Sequence, residues 1–184
     1  MSLADLFHKI ATGSRRRRAL LTPVGLLVFG GSLALVFLAG LFIDRALSLP
    51  QLLPGALGVA VGTPLFVIGS VLCGWCVIRF RKSEGTPVPF NPPTELIVEG
   101  PYVWTRNPML TGVFTALFGA GVLLHSYGMV VISIPAYILI HAIELKRVEE
   151  PELERRFGAS YLEYKRRVPM FWPRFWKGRA GRAG

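Results

Sequence analysis

The sequence predicts an all-α, polytopic membrane protein with about four transmembrane helices and a cytoplasmic carboxyl-terminal helical segment. Two observations on the 184-residue chain predict this fold class. Hydrophobic residues make up 52% of the chain and the mean hydropathy is +0.46, both above what ordinary soluble domains show. Long stretches without a charged side chain also recur, and each is long enough to form a membrane-spanning helix or a pair of them.

The first two spans are each predicted from an uncharged stretch of 24 residues. Residues 20–43 would form a helix of roughly 36 Å, which crosses a hydrocarbon core with some tilt. The second span covers about residues 55–80, and its internal Pro64 is tolerated where neighbouring helices pack closely. The first span is expected to stay in the membrane as an anchor, because it is much longer than the apolar core of a cleaved signal peptide.

The third and fourth spans are predicted to form a helical hairpin. No Asp, Glu, Lys or Arg lies between Pro108 and Glu144, and that run is too long for one ordinary span. His125–Gly128 is the natural turn, so the arms are predicted at about residues 108–124 and 128–145. Arms of this length are near the lower limit for crossing the bilayer, so they would thin it or stop short of the far face.

The distribution of charge predicts the orientation. Twenty of the twenty-one Lys and Arg residues fall on one side of the predicted spans, and the exception is Arg45. By the positive-inside rule that side is the cytoplasm, with both termini there. The pI near 10.3 therefore needs no nucleic acid partner, because basic residues beside anionic lipid headgroups give the same value.

We therefore predict one integral membrane domain over residues 1–184. Its two larger cytoplasmic segments are residues 81–107 and 146–184. The first contains four prolines within residues 87–93, which hold the backbone extended, so the segment is a connector or part of the wall of a pocket. In the second, Pro151 predicts a kink or restart of the helix, and a short surface helix would carry its basic residues on the outer side. The aromatic residues that follow are expected to anchor it at the interface, namely Phe171, Trp172, Phe175 and Trp176.

A first polar cluster stands where the hairpin begins, at Arg106-Asn107-Pro108. Asn107 is predicted to cap the helix through its side chain, and Pro108 to be its first residue. Arg106 and the free N–H groups of such a helix end suit a carboxylate or a phosphate. The alternative is a capped transmembrane helix without a binding role.

A second polar cluster stands where the hairpin ends, at Glu149 and Glu150. A hairpin returns its two ends to one face of the membrane, so these carboxylates are predicted to come within reach of Arg106 and Asn107. The alternative is a solvated acidic turn balanced by Lys146 and Arg147. No metal site is expected, and the pair Cys73 and Cys76 lies inside an apolar span, where burial suppresses the reactive thiolate.

Both clusters together resemble the isoprenylcysteine carboxyl methyltransferase and phospholipid methyltransferase group. The resemblance covers roughly residues 79–173 and rests on these residues: Gly100-Pro-Tyr102, Arg106-Asn-Pro108, Glu149-Glu150-Pro-Glu-Leu153, Phe157-Gly158, Tyr161, Tyr164 and Val168-Pro169. It implies binding of S-adenosyl-L-methionine at the cytoplasmic side and a lipid or lipidated methyl acceptor. The cofactor-binding residues that it implies are Tyr102, Arg106, Asn107, Pro108, Gly119, Gly121, Glu149, Glu150 and Leu153, and the catalytic ones are Arg106, Asn107 and Glu150.

The sequence departs from the family pattern at two positions. Asn107 replaces the usual His and Leu110 the usual Tyr, so a histidine base at position 107 is lost. Gly119 and Gly121 also have an alternative role in close helix packing. Two other functions remain open: a non-catalytic binding or regulatory subunit that keeps the fold, and an NADPH-binding reductase like the sterol reductases. Neither the acceptor (carboxylate, amine or thiol) nor the oligomeric state follows from the sequence.

Overall fold

The computed structural model describes residues 15–53, 55–82 and 95–171, and all regular secondary structure in these ranges is helical. The helices are α1 (Arg15–Ala46), α2 (Ala56–Lys82), α3 (Pro108–Leu123), α4 (Gly128–Phe157) and α5 (Ala159–Arg167). A short 3-10 helix, Gly100–Val103, precedes α3. The predicted all-helical membrane fold is confirmed. Residues 83–94, which include the four clustered prolines, lie outside the described residues. The same holds for Trp172, Phe175 and Trp176.

Three of the described helices are long and apolar enough to cross a membrane: Pro23–Ala46 within α1, Ala56–Phe80 within α2, and α4. Helix α3 has 16 residues and is a shorter apolar helix, as expected for one arm of the hairpin. Helix α4 continues past the predicted span of about residues 128–145, to Phe157. The part of α4 from Glu144 to Phe157, more than three turns, therefore extends the hairpin beyond the apolar stretch.

Helix α4 contains two π-helical segments, and each ends two residues before a proline. Gly128–Ser133 precedes Pro135, and Leu145–Glu149 precedes Pro151. A proline ring clashes with the carbonyl four residues earlier and offers no N–H to it, and a wider turn relieves both problems. At the second segment the N–H of Glu150 bonds to the carbonyl of Leu145, five residues back. The predicted break at Pro151 is therefore absorbed by a π-helical turn, and the helix continues.

Helices α2 and α3 are in direct backbone contact along a line of glycines. A Cβ atom on Gly119 would lie 2.3 Å from the backbone nitrogen of Phe66, and one on Gly69 would lie 2.4 Å from that of Ala116. Gly62 and Gly112 make further close approaches on the same two helices, at 2.7 and 2.8 Å. Small residues allow this approach, which is the usual way that helices associate within lipid.

The far end of the bundle is fixed by Asp44, the acidic residue near the end of α1. Its carboxylate accepts hydrogen bonds from the Ser126 hydroxyl and from the backbone N–H of Gly128, the latter at 2.6 Å. It thereby satisfies a free donor at the start of α4, where negative charge is also favoured by the helix dipole. The hairpin turn is held against α1 at this point, at the opposite end of α3 from Arg106.

Candidate functional site

The two polar clusters are in contact, as predicted, through an ion pair between Arg106 and Glu150. Arg106 Nη1 lies 2.7 Å from Glu150 Oε1, and the two side chains are only 10% and 8% exposed. Arg106 Nη1 also donates to the hydroxyl of Tyr161 on α5, at 3.3 Å. Glu150 rather than its neighbour Glu149 forms this pair, while Glu149 is half-buried beside it on α4. The hairpin therefore brings together residues 44 positions apart in sequence.

Lys165 of α5 makes a second ion pair with Glu150, which the sequence analysis missed. Its Nζ lies 2.6 Å from Glu150 Oε2 and 2.8 Å from Glu154 Oε1. Hydrogen bonds to Glu150 and then Glu154 raise the pKa of Lys165 above its ordinary value. The sequence analysis placed Lys165 on the outer side with Arg166 and Arg167, and this was wrong. Lys165 lies one turn after Tyr161, the spacing that puts both side chains on the face turned toward Glu150.

The chain that follows α5 holds the Arg106 segment in position. The backbone N–H of Arg106 bonds to the carbonyl of Pro169 at 2.8 Å, and that of Asn107 to the carbonyl of Met170 at 3.1 Å. The Thr105 hydroxyl also bonds to the Met170 carbonyl, at 2.6 Å. These contacts involve main-chain groups, which explains why residue types alone did not indicate them.

Asn107 precedes the first residue of α3, as predicted, but its side chain makes no capping hydrogen bond. Its amide nitrogen instead lies 3.4 Å from the Met170 carbonyl, to which it donates. The predicted side-chain cap was therefore wrong, because the amide group is turned toward the post-α5 segment. Pro108 is buried and is the first residue of α3, as predicted.

Three tyrosines from two parts of the chain, the 3-10 helix and α5, lie beside the ion pair. The hydroxyl of Tyr164 donates to the Tyr102 carbonyl at 2.8 Å, which ties α5 to the 3-10 helix. Tyr102 is buried, with its ring packed edge-on against Phe80 of α2. Burial, and next the charge of Glu150, raise the pKa of Tyr161 to about 12. Tyr161 therefore keeps its proton at neutral pH and can act as a hydrogen-bond donor as well as an acceptor.

The remaining predicted site residues lie at different distances from the ion pair. Leu153 is half-buried one turn beyond Glu150 on α4. Gly119 packs against the backbone of α2, and Gly121 against Val130 of α4. Gly119 is eleven residues into α3, which places it about 17 Å along the helix from Pro108. The structure therefore groups Arg106, Asn107, Pro108 and Glu150 with Tyr102, and does not bring the two glycines to them.

A group of aromatic side chains, which we call the aromatic cluster, lies next to this site. It consists of Phe29 of α1, Phe114 of α3, Tyr137 and His141 of α4, and Phe171. Phe171, which was predicted as an interface anchor, is half-buried, and its ring packs against that of Phe114 with 5.5 Å between centroids. Its carbonyl also accepts a hydrogen bond from the Thr111 hydroxyl. The cluster is thus joined to the post-α5 segment that holds Arg106.

The ion pair keeps unused hydrogen-bonding capacity. Arg106 Nε and Glu150 Oε1 are both buried and have no hydrogen-bond partner among the described residues. At Glu150 Oε1 the contact with Arg106 is therefore ionic rather than an aligned hydrogen bond. A buried cationic donor beside a buried anionic acceptor suits a ligand that carries both charges, such as the amino and carboxylate groups of an amino acid. These residues fit the amino-acid end of S-adenosylmethionine.

A sequence model of the phospholipid methyltransferase family matches residues 57–160, which include α2, α3 and Glu150. The chain belongs to this family. The match confirms the family that the two polar motifs predicted, and it covers more than half of the chain. The protein is thus a member of a membrane methyltransferase family.

Two curated proteins are similar to this chain. A nickel-cobalt-cadmium resistance protein, NccN, from Alcaligenes xylosoxydans xylosoxydans is 31% identical over 133 residues, which are 71% of this chain and 54% of the relative. Methanethiol S-methyltransferase 2 of Bradyrhizobium diazoefficiens is 33% identical over 102 residues, which are 55% of this chain and 36% of the relative. The chain spans about half the length of the first relative and about a third of the second. No solved structure matches it.

Proposed function

We propose that the protein is an S-adenosylmethionine-dependent methyltransferase that acts on a lipid or lipid-like acceptor at the cytoplasmic face of a membrane. The observation that carries this proposal is the buried pair of Arg106 and Glu150 at the start of α3, with hydrogen-bonding capacity left on both side chains. Family membership supports the reaction type. The name of the second relative supports the thiol among the three acceptor classes left open by the sequence.

Each charged residue has a defined task in this proposal. Arg106 Nε and the start of α3 would bind the carboxylate of the cofactor. Glu150 would bind its amino group, since a carboxylate has about four lone-pair sites and its two present ion pairs leave some of them free. Lys165 keeps Glu150 in place from the side of α5. When bound, S-adenosylmethionine supplies a methyl group on a cationic sulfur.

The protein would contribute orientation and the exclusion of water to the methyl transfer. The cofactor would enter from the aqueous side, where the basic residues are concentrated, and the acceptor from the bilayer. The apolar surfaces of α1 and α4 beside the aromatic cluster are compatible with an acceptor that carries a hydrocarbon chain. The orientation follows from the positive-inside rule.

Calorimetric binding of S-adenosylhomocysteine in detergent tests the proposal directly. We expect micromolar binding to the wild type and a loss of at least about tenfold in Glu150→Gln, since a hydrogen bond to a charged group contributes about 1.5–3 kcal/mol. Glu154→Gln is the matched control, because Glu154 shares Lys165 but is 37% exposed. Transfer of a labelled methyl group to phosphatidylethanolamine and to a long-chain alkanethiol would then be measured.

Absence of binding in a folded wild-type protein would contradict the proposal and favour the non-catalytic subunit. Equal binding by the wild type and Glu150→Gln would show that the cofactor lies elsewhere. A titration with NADPH separates the reductase alternative, for which binding of the nicotinamide is required.

A further inference from the structure

The aromatic cluster contains a titratable side chain for which the proposed function has no task. His141 of α4 packs against Tyr137 at 4.5 Å and against Phe114 at 6.1 Å between ring centroids. We infer that His141 accepts the proton of the methyl acceptor and that Glu144 stabilises the charged imidazole so formed. This inference rests on the proposed function. It also defines the acceptor as one with a removable proton, a thiol or an ammonium group.

The position of His141 suits contact with an acceptor that approaches from the bilayer. Phe114 is seven residues after Asn107 on α3, which is nearly two turns, so both lie on the same face of that helix. His141 contacts Phe114 on this face, and it precedes Glu150 by nine residues, about 13 Å along α4. In this proposal, the methyl donor held by Glu150 and the reacting atom of the acceptor beside His141 meet within this distance.

His141 and Glu144 are close enough for Glu144 to carry a proton from His141 to water. His141 Nδ1 lies 3.6 Å from Glu144 Oε2, which is beyond a hydrogen bond but close enough to stabilise a positive charge. His141 Nδ1 is also buried without a hydrogen-bond partner among the described residues. The Glu144 side chain is 38% exposed, whereas that of His141 is 19% exposed. Glu144 can therefore pass a proton from His141 to water.

The surroundings of His141 contain few other groups that titrate. On α4 they are Tyr137 and Glu144, while α1 contributes Phe29 and α3 contributes Phe114, which carry no charge. The hydroxyl of Tyr137 is hydrogen bonded to Ser32 of α1 at 2.8 Å. Within the described residues, His141 is thus a base in an apolar site with one acidic partner.

The Arg106 site itself offers one other candidate base, Glu149. Arg106 and Lys165 are cations, Asn107 is a neutral amide, and Glu150 is engaged by both cations. Burial, and next the charge of Glu144, raise the pKa of Glu149 to about 7, but Glu149 directly precedes Glu150 and thus lies on the side of the cofactor rather than that of the acceptor. Histidine is also the side chain whose unperturbed protonation changes nearest neutral pH.

The proposed step balances as a substitution with proton removal. The S–H or N–H bond of the acceptor breaks and its proton goes to Nε2 of His141. The electron pair of the acceptor forms the new bond to the methyl carbon, and the bond from that carbon to the sulfonium breaks, leaving S-adenosylhomocysteine. The imidazolium then loses its proton to water through Glu144.

The experiment compares His141→Gln with the wild type in three measurements: calorimetric binding of S-adenosylhomocysteine, kcat for a long-chain alkanethiol and for phosphatidylethanolamine, and the pH dependence of kcat. Gln keeps a polar side chain of similar size but cannot accept a proton at these pH values. His125→Gln is the matched control, because His125 lies at the hairpin turn and bonds there to the Leu53 carbonyl.

We expect unchanged binding of S-adenosylhomocysteine, a fall in kcat of about 100-fold or more near pH 7, and recovery as the pH approaches that at which the acceptor ionises by itself. Glu144→Gln should lower kcat less than His141→Gln does. Unchanged kcat and an unchanged pH profile in His141→Gln, with normal binding, would overturn the inference and leave the proposed function standing. A wild type that neither binds S-adenosylhomocysteine nor transfers a methyl group would overturn both.

Discussion

Replacing Glu150 by Gln should destabilise the protein far more than replacing Glu154, although both carboxylates contact Lys165. The Glu150 side chain is 8% exposed and is paired with Arg106, which is itself 10% exposed. Removing one partner of a buried ion pair leaves an uncompensated charge and costs about 3–5 kcal/mol. Glu154 is 37% exposed, and an ion pair with such access to water contributes at most about 1 kcal/mol.

For a chain of this size, these free energies correspond to a fall in Tm of about 6–20 °C for Glu150→Gln and less than about 4 °C for Glu154→Gln. A thiol-reactive fluorogenic dye measures the transition in detergent in a Cys73→Ser background, because Cys73 is partly exposed whereas Cys76 is fully buried until the helices separate. The comparison should be made without S-adenosylhomocysteine, so that ligand binding does not add to stability. Equal shifts in the two variants would refute the argument that burial makes Glu150 the central residue of the network.

Two further predictions concern contacts that hold the site in place. Gly119→Ala should lower the free energy of unfolding by about 1–3 kcal/mol, because its Cβ would lie 2.3 Å from the Phe66 backbone. Gly74→Ala is the control: a Cβ there meets open space, so the substitution should be neutral or raise the free energy of unfolding by up to about 1 kcal/mol. The same dye assay measures both, and a neutral Gly119→Ala would contradict the packing role. Tyr164→Phe should cost about 1–3 kcal/mol by leaving the buried Tyr102 carbonyl without its donor, and an unchanged Tm would show that this hydrogen bond is dispensable.

The main elements of the fold were predictable because each rests on a local property of the sequence. Uncharged length predicted the spans, and the absence of charge between Pro108 and Glu144 predicted the hairpin. The meeting of Arg106 and Glu150 then followed from the hairpin alone, since its two ends must return to one side. The residues matched by the family model include both Arg106 and Glu150, the two motif residues that form this pair.

What the sequence did not predict depends on tertiary contacts. Lys165 belongs to a basic run that resembles a solvated surface, and only the packing of Tyr161 and Tyr164 turns it toward Glu150. The Asn107 side chain was misassigned because its partner is a main-chain carbonyl more than sixty residues away. A kink or restart was expected at Pro151, whereas α4 accommodates this proline with a π-helical turn and continues to Phe157.

The π-helical segment Leu145–Glu149 makes the number of residues in α4 a determinant of the site. Such a segment is in effect a helix with one residue more than the regular spiral requires. Each residue turns an α-helix by about 100°, so insertion of one further residue there would rotate Glu150 away from Arg106 by that angle, whereas deletion of the extra residue would leave a regular helix with Glu150 near its present orientation. His141 and the preceding turns would keep their places. The π-helical segment thus sets the rotation of Glu150 relative to His141. An insertion between these two residues would impair the chemistry although every functional side chain is retained.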